Sequence, residues 1–262
     1  MKYLAVLLSC VLVALLILCY FLPKEEVQQS LDTTTIGTMD CMPENTESGE
    51  TFESAESTQD STVETVEPTG NVQSRPEPEK DDFVLVKDYI LNVNECLLYA
   101  TDDNFTGVEI YDFNQAYLRY GTVLKLAEAA MRLSELGYGL VIWDGYRPYY
   151  AQEKLWQICP DPTYVSKPGT GSQSHCRGIA VDITLYDLKT SKFLEMPTGF
   201  DDFSPLADRD YSDCTEEAAK NAAMLETIMK DCGFKPYSAE WWHYSDTENY
   251  PVEYDFDPAN IN

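Results

Sequence analysis

Positive charge and histidine are the scarce components of this chain. Its 262 residues hold 18 lysines and arginines against 45 aspartates and glutamates, a formal net charge of −27, and only two histidines. A surface so poor in cations repels a phosphate backbone, which argues against nucleic acid as a partner. The eight cysteines include no C-x-x-C pair, which argues against a thiolate zinc ribbon. No cofactor-binding motif supports redox chemistry, and no internal repeat suggests a solenoid.

The apolar and charged residues divide the chain into three parts. Residues 1–23 contain an almost unbroken apolar run, Tyr3 to Leu22, of about the 20 residues that span a bilayer. It ends in Leu18-Cys19-Tyr20-Phe21-Leu22 without the small-residue exit of a cleaved signal peptide. The expectation is a single-pass signal anchor with the rest of the chain outside the cell, secretion after cleavage being the alternative. Residues 24–82 are rich in Glu, Ser, Thr and Pro and cannot bury enough apolar surface to offset their ordering entropy. They read as a disordered acidic linker. Residues 83–262 suffice for one domain with its own core. Its five cysteines, Cys96, Cys159, Cys176, Cys214 and Cys232, are an odd number, so at least one has no partner within the domain.

Within that domain Tyr89 to Ala100 reads as extended. Val123, Leu126, Ala127, Ala130, Met131 and Leu133 recur at helical spacing before a stop at Gly137. Leu140-Val141-Ile142-Trp143 is a strand-length apolar run, and Pro148 can open a second helix. Gly178 to Tyr186 predicts a strand beginning just after His175. Asp213 and Glu216 form a capping-box pattern before a helix of Ala218, Ala222, Leu225 and Met229, and Tyr237 to Tyr244 predicts one last strand. Helices and strands without a βαβ rhythm indicate an α+β domain with a largely antiparallel sheet.

The two histidines sit in patterned company. His175 precedes Asp182 by seven residues, and Glu240 precedes His243 by three. Two imidazoles, a carboxylate ligand and a spare carboxylate are what a hydrolytic zinc site requires. Non-haem iron can use the same ligand types but commonly places the acid two residues after the first histidine, so zinc fits better. Glu240 is a candidate proton carrier because its neighbours Ala239, Trp241 and Trp242 desolvate it; the plain alternative is a surface or capping carboxylate. Arg147, on a turn after a buried strand, could stabilise an oxyanion or serve as a structural ion-pair partner. Cys176 reads as a packed thiol. With both imidazoles assigned to metal, none remains for a Cys–His peptidase.

Three segments together carry a resemblance: Ser-His-x-x-Gly-x-Ala-x-Asp at 174–182, Glu-x-x-His at 240–243 and Asp-Gly-Tyr-Arg-Pro at 144–148. They resemble the zinc D,D-peptidases, and more closely the D-alanyl-D-alanine dipeptidases. Tyr99-Ala100-Thr101, Asn104 to Gly107, Phe200-Asp201 and the tail from Tyr250 to Phe256 extend the likeness over nearly the whole domain. The resemblance implies a Hedgehog/D,D-peptidase-like fold whose central sheet is flanked by helices. It also implies one zinc ion on His175, Asp182 and His243, with Glu240 as general base and acid and Arg147 as transition-state stabiliser. Tyr99 and Asp201 would lie near the substrate's amino end. The family commonly has serine where this chain has Gln173, which bears on substrate preference. The implied reaction is hydrolysis of D-alanyl-D-alanine. A D,D-carboxypeptidase trimming wall stem peptides is the alternative, and a non-catalytic zinc-containing wall-binding module is the alternative of another class.

Overall fold

Alternating branched residues from Ala180 to Asp187 build the strand around which the domain is arranged. A computed structural model describes residues 77–260, Thr163 excepted. The expected anchor and residues 24–76 of the expected linker lie outside the described residues. Among the described residues no helix is long and apolar enough to cross a membrane.

The main sheet runs β2 (Val93–Glu95), β4 (Tyr138–Asp144), β5 (Ala180–Asp187), β8 (Glu240–Asp246) and β7 (Phe234–Tyr237). A short β6 (Lys192–Phe193) pairs with the far end of β5. Only the β2–β4 pair is parallel, so the largely antiparallel α+β expectation holds. A separate ribbon joins β1 (Phe83–Leu85) to β3 (Tyr117–Arg119). Seven of the eight β5 residues are buried, as a strand covered on both faces requires.

Helix α1 (Tyr120–Glu135) packs on β4, and α3 (Glu216–Asp231) packs on β7 and against α1. The buried face of α1 is Val123, Leu126, Ala129, Ala130 and Leu133. Met131, assigned to that face from the sequence, is instead exposed, because it lies on the far side of the 3.6-residue period. Gly137 follows α1 at φ +89°, the left-handed stop its residue type allows. Helix α2 (Tyr149–Ile158) begins directly after Pro148.

Three local expectations need correction. Tyr89 to Ala100 is not one extended segment: β2 spans only three residues and Leu98–Ala100 is a 3₁₀ turn. The cap of α3 is Thr215, whose hydroxyl accepts from the Ala218 amide, so the true cap lies two residues beyond Asp213. The single last strand is the hairpin β7–β8, since Tyr237 to Glu240 reverses the chain. Residues 77–82, assigned to the linker, hydrogen-bond onto α1: Lys80 and Asp82 carbonyls accept from Gly121 and Tyr120.

Cys159, Cys176, Cys214 and Cys232 are free, whereas Cys96 is disulfide-bonded. The odd count in the domain is thereby accounted for without any pairing among these five.

Candidate metal centre and active site

The site forms where β4, β5 and β8 end beside one another. His175 lies in a 3₁₀ turn, His175–Arg177, rather than at a strand entrance. Gly178 ends that turn at φ +70°, and a Cβ there would collide with the Phe83 ring, so the residue must be glycine on two counts. The chain then enters β5 and delivers Asp182, paired across the ladder with His243 of β8. Residues directly opposite in adjacent strands share a face, which explains why these two meet.

Glu240 should point away from His243 in a regular strand, because three steps reverse the face. The hairpin breaks that rule. Pro236 faces Tyr244 whereas Tyr237 faces Glu240, so β8 bulges over residues 241–243. Trp241 and Trp242, within the bulge, are both buried, at 0% and 1% exposure. The slip in phase turns Glu240 back to the His243 side, with Oε2 3.8 Å from Nδ1.

The three candidate ligands are buried together. His175 Nε2 lies 3.2 Å from His243 Nδ1 and 3.3 Å from Asp182 Oδ2, and His243 Nδ1 lies 2.9 Å from Asp182 Oδ1. A tetrahedral zinc with bonds of about 2.0–2.1 Å separates its ligand atoms by roughly 3.3 Å, so the spacing fits. Each imidazole is also turned correctly. His175 Nδ1 is 2.7 Å from the Gly145 carbonyl, which can only accept, so the proton sits there and Nε2 offers its lone pair. His243 Nε2 is 3.0 Å from Ser245 Oγ, which leaves Nδ1 as the ligand atom. Burial would raise the Asp182 carboxyl, but the two imidazoles hold it well below the usual carboxylate range, as suits an anionic ligand. The donor set therefore suits zinc.

A cavity of about 340 Å³ opens onto this cluster, and its walls include all eight residues singled out from the sequence: Tyr99, Arg147, Gln173, His175, Asp182, Asp201, Glu240 and His243. Burial raises the Glu240 carboxyl above its ordinary value; the Asp182 charge adds to this, while His243, His175 and Arg147 oppose it. Arg147 gives Nε and Nη2 to Asp144 Oδ2, at 3.1 and 2.6 Å, and Nη1 to Gln152 Oε1 at 2.9 Å. That commits three of its five N–H donors and leaves one on each terminal nitrogen. Cys176 borders the same cavity but is not one of the clustered ligands, and burial pushes its thiol up to about 11, which disfavours the reactive thiolate. Gln173 adopts φ +49°, and its Oε1 accepts from the Gly169 amide at 3.3 Å, so its side chain braces the neighbouring loop.

At the other end of the cavity Tyr99 donates to Asp201 Oδ2 at 2.7 Å and lies under the Arg147 guanidinium. Although Asp201 borders the cavity, burial pushes its carboxyl up to about 8; Asp182 and Glu240 add to this, while the Tyr99 hydrogen bond and Arg147 oppose it. The folded metal-free protein thus keeps a proton that the unfolded chain loses near 3.8. The associated stability is full below that value and is lost as pH rises towards about 8. Asp201→Asn is expected to flatten this decline in denaturant melts of the metal-free protein between about pH 5 and pH 9. An unchanged slope would show the carboxyl to be ionised throughout.

Asp144, the first residue of the Asp-Gly-Tyr-Arg-Pro segment, has a role that its motif alone does not reveal. Asp144 is fully buried, and besides Arg147 it accepts from Tyr111 Oη at 2.6 Å and the Gly145 amide at 2.8 Å. It also stands 3.6 Å from His175 Nδ1. An acidic residue closing an apolar strand three positions before an arginine was the available signal. Ser245 and Gln152 left no such mark.

Residues 79–258 match the peptidase M15 family described as D-ala-D-ala dipeptidase. A D-alanyl-D-alanine dipeptidase of Escherichia coli K12 is 38% identical over 158 residues, 60% of this chain and 81% of that protein. Those of Streptomyces coelicolor and Enterococcus faecalis are 34% and 33% identical, covering 63% and 67% of this chain and 91% and 96% of theirs. Among solved structures, VanYB in complex with D-Alanine-D-Alanine aligns with 53% of this chain and 76% of that one, at 15% identity and a TM-score of 0.35. With a match covering most of its length, the chain belongs to the D-ala-D-ala dipeptidase family of peptidases.

Proposed function

We propose that this protein is a zinc metallopeptidase that hydrolyses the D-alanyl-D-alanine dipeptide to D-alanine. The observation that carries the reading is the joint placement of Glu240 beside the His175–Asp182–His243 cluster, with Arg147 in the same cavity. His175, Asp182 and His243 would hold zinc, which when bound polarises a carbonyl and makes water more acidic. Glu240, raised by burial, takes the proton of the attacking water and returns it to the leaving amine. Arg147 offers its two uncommitted N–H groups to the oxygen that becomes anionic, while Asp144 fixes its plane. Asp201, steadied by Tyr99, pairs with the substrate ammonium, whose positive charge favours the ionised carboxylate.

A volume of about 340 Å³ is near the lower end for ligand pockets and suits a dipeptide better than a wall stem peptide. Gln173, in place of the family's serine, tunes preference at the wall it shares. Comparing turnover of D-alanyl-D-alanine with release of terminal D-alanine from a stem pentapeptide tests the assignment. Preference for the pentapeptide would make the protein a D,D-carboxypeptidase, and no hydrolysis of either would leave a wall-binding module.

The apolar run at 1–23 and the acidic segment after it would hold the domain at the extracytoplasmic face of the cell membrane, or release it there after cleavage. The Cys96 disulfide supports an oxidising location of this kind.

A further inference from the structure

Strand β8 carries both Glu240 and His243, yet its bulge deprives this stretch of regular partners on β7. Pro236 has no N–H to give, and the register slips immediately after it. Arg209, from the segment before α3, enters at this place. Its Nε donates to the Tyr237 carbonyl at 2.7 Å, and Nη2 donates to the carbonyls of Glu240 and His243, both at 3.0 Å. Its backbone amide donates to the Ser238 carbonyl at 3.2 Å. The remaining terminal nitrogen reaches Glu226 Oε2 on α3 at 3.1 Å and the Tyr244 hydroxyl at 3.2 Å, and the guanidinium carbon lies 4.6 Å from the Tyr244 ring centroid. With only 10% of its side chain exposed, this cation is a built-in part of the hairpin.

We propose that Arg209 is a positioning residue for the hydrolytic site. It holds the backbone of the general base and of the third metal ligand in one fork and so fixes the separation of Glu240 from the metal. The planar five-donor head suits the task, because one rigid group can serve three carbonyls that face it from one turn. Lysine could reach one or two of them but could not hold their relative positions. The proposal rests on the zinc peptidase reading, so its test includes measurements independent of turnover.

Arg209→Gln and Arg209→Lys should be compared with Glu226→Gln, which removes the ion pair to α3 but leaves the fork on the carbonyls. Zinc affinity is measured by titrating the metal-free protein, site geometry by the absorption spectrum of the cobalt-substituted protein, and kcat and KM on D-alanyl-D-alanine. Partners that orient ligands from behind typically contribute about 10- to 100-fold in metal affinity or activity. Arg209→Gln is expected to weaken zinc by about that factor, to alter the cobalt spectrum and to lower kcat with little change in KM. Arg209→Lys should fall between it and the parent, and serves as the test if the glutamine variant does not fold. Glu226→Gln should keep metal affinity and spectrum while losing thermal stability. The proposal is overturned if Arg209→Lys and Glu226→Gln lose comparable stability and both keep the parent's zinc affinity and cobalt spectrum. A parent that binds zinc but hydrolyses neither substrate refutes the activity, and the affinity and spectral comparison still decides the positioning role.

Discussion

Replacing Glu240 with alanine is expected to cut turnover of D-alanyl-D-alanine by roughly 10³-fold while zinc stays bound. The separation of effects follows from the geometry. Glu240 Oε2 is 3.8 Å from His243 Nδ1, near enough to exchange a proton with water in the site, but it is not one of the three clustered ligands. Its removal leaves the His175, Asp182 and His243 spacings and their supporting hydrogen bonds in place. Metal content by atomic absorption should match the parent, and kcat should account for most of the loss. Retained hydrolysis would sink the assigned role. Loss of metal in this variant would instead make Glu240 a ligand. Glu240→Gln offers a stricter version, since it keeps the shape while replacing the basic carboxylate with an amide that cannot take up the proton.

Asp144→Asn is expected to damage stability and catalysis together. The carboxylate is fully buried and takes four donors, two of them from Arg147. Removing one member of a buried ion pair leaves the other charge uncompensated, at a cost of about 3–5 kcal/mol. An amide of the same shape has only one accepting oxygen, and its NH₂ would face donors from Arg147 or from Tyr111 and Gly145. Denaturant unfolding should show the loss. At temperatures where the variant remains folded, kcat/KM should fall by at least 10²-fold, because the guanidinium that receives the oxyanion has lost its orientation. The pair is not a surface contact of small worth, since Asp144 is 0% and Arg147 only 13% exposed at the side chain. Near-normal stability in the variant would show that water or a rearranged Arg147 replaces the missing charge.

The chemistry was more legible in the sequence than the frame that holds it. Histidine is so scarce that His175 and His243 were conspicuous, and the short motifs around them brought Asp182 and Glu240 along. Long periodic segments such as α1 and α3 could be read because a buried face repeats at a fixed interval. The short elements could not. The three residues of β2 carry too little pattern to separate them from the neighbouring 3₁₀ turns. The β8 bulge leaves no mark in the sequence, where Tyr237 to Tyr244 reads as one strand and nothing in Trp241-Trp242 signals the slip in register. Arg209 acts through backbone carbonyls, which leave no local signature, and Ser245 meets its partner His243 only two residues away without any motif marking the pair; the three-residue spacing of Asp144 and Arg147 was the one usable signal.

Asp144 also ties the two sides of the site to one turn of chain. It grips Arg147 directly, its own turn supplies the Gly145 carbonyl to His175, and the Arg147 amide donates to the His175 carbonyl. A metal ligand and the cation opposite it therefore hang from one short stretch of chain. A displacement of that stretch should carry both groups together and change the gap between them little. The gap works as a ruler for ligands. Compounds that bridge a metal and a guanidinium with a stiff spacer of matching length should gain affinity in steps, losing it abruptly when one atom too long or too short.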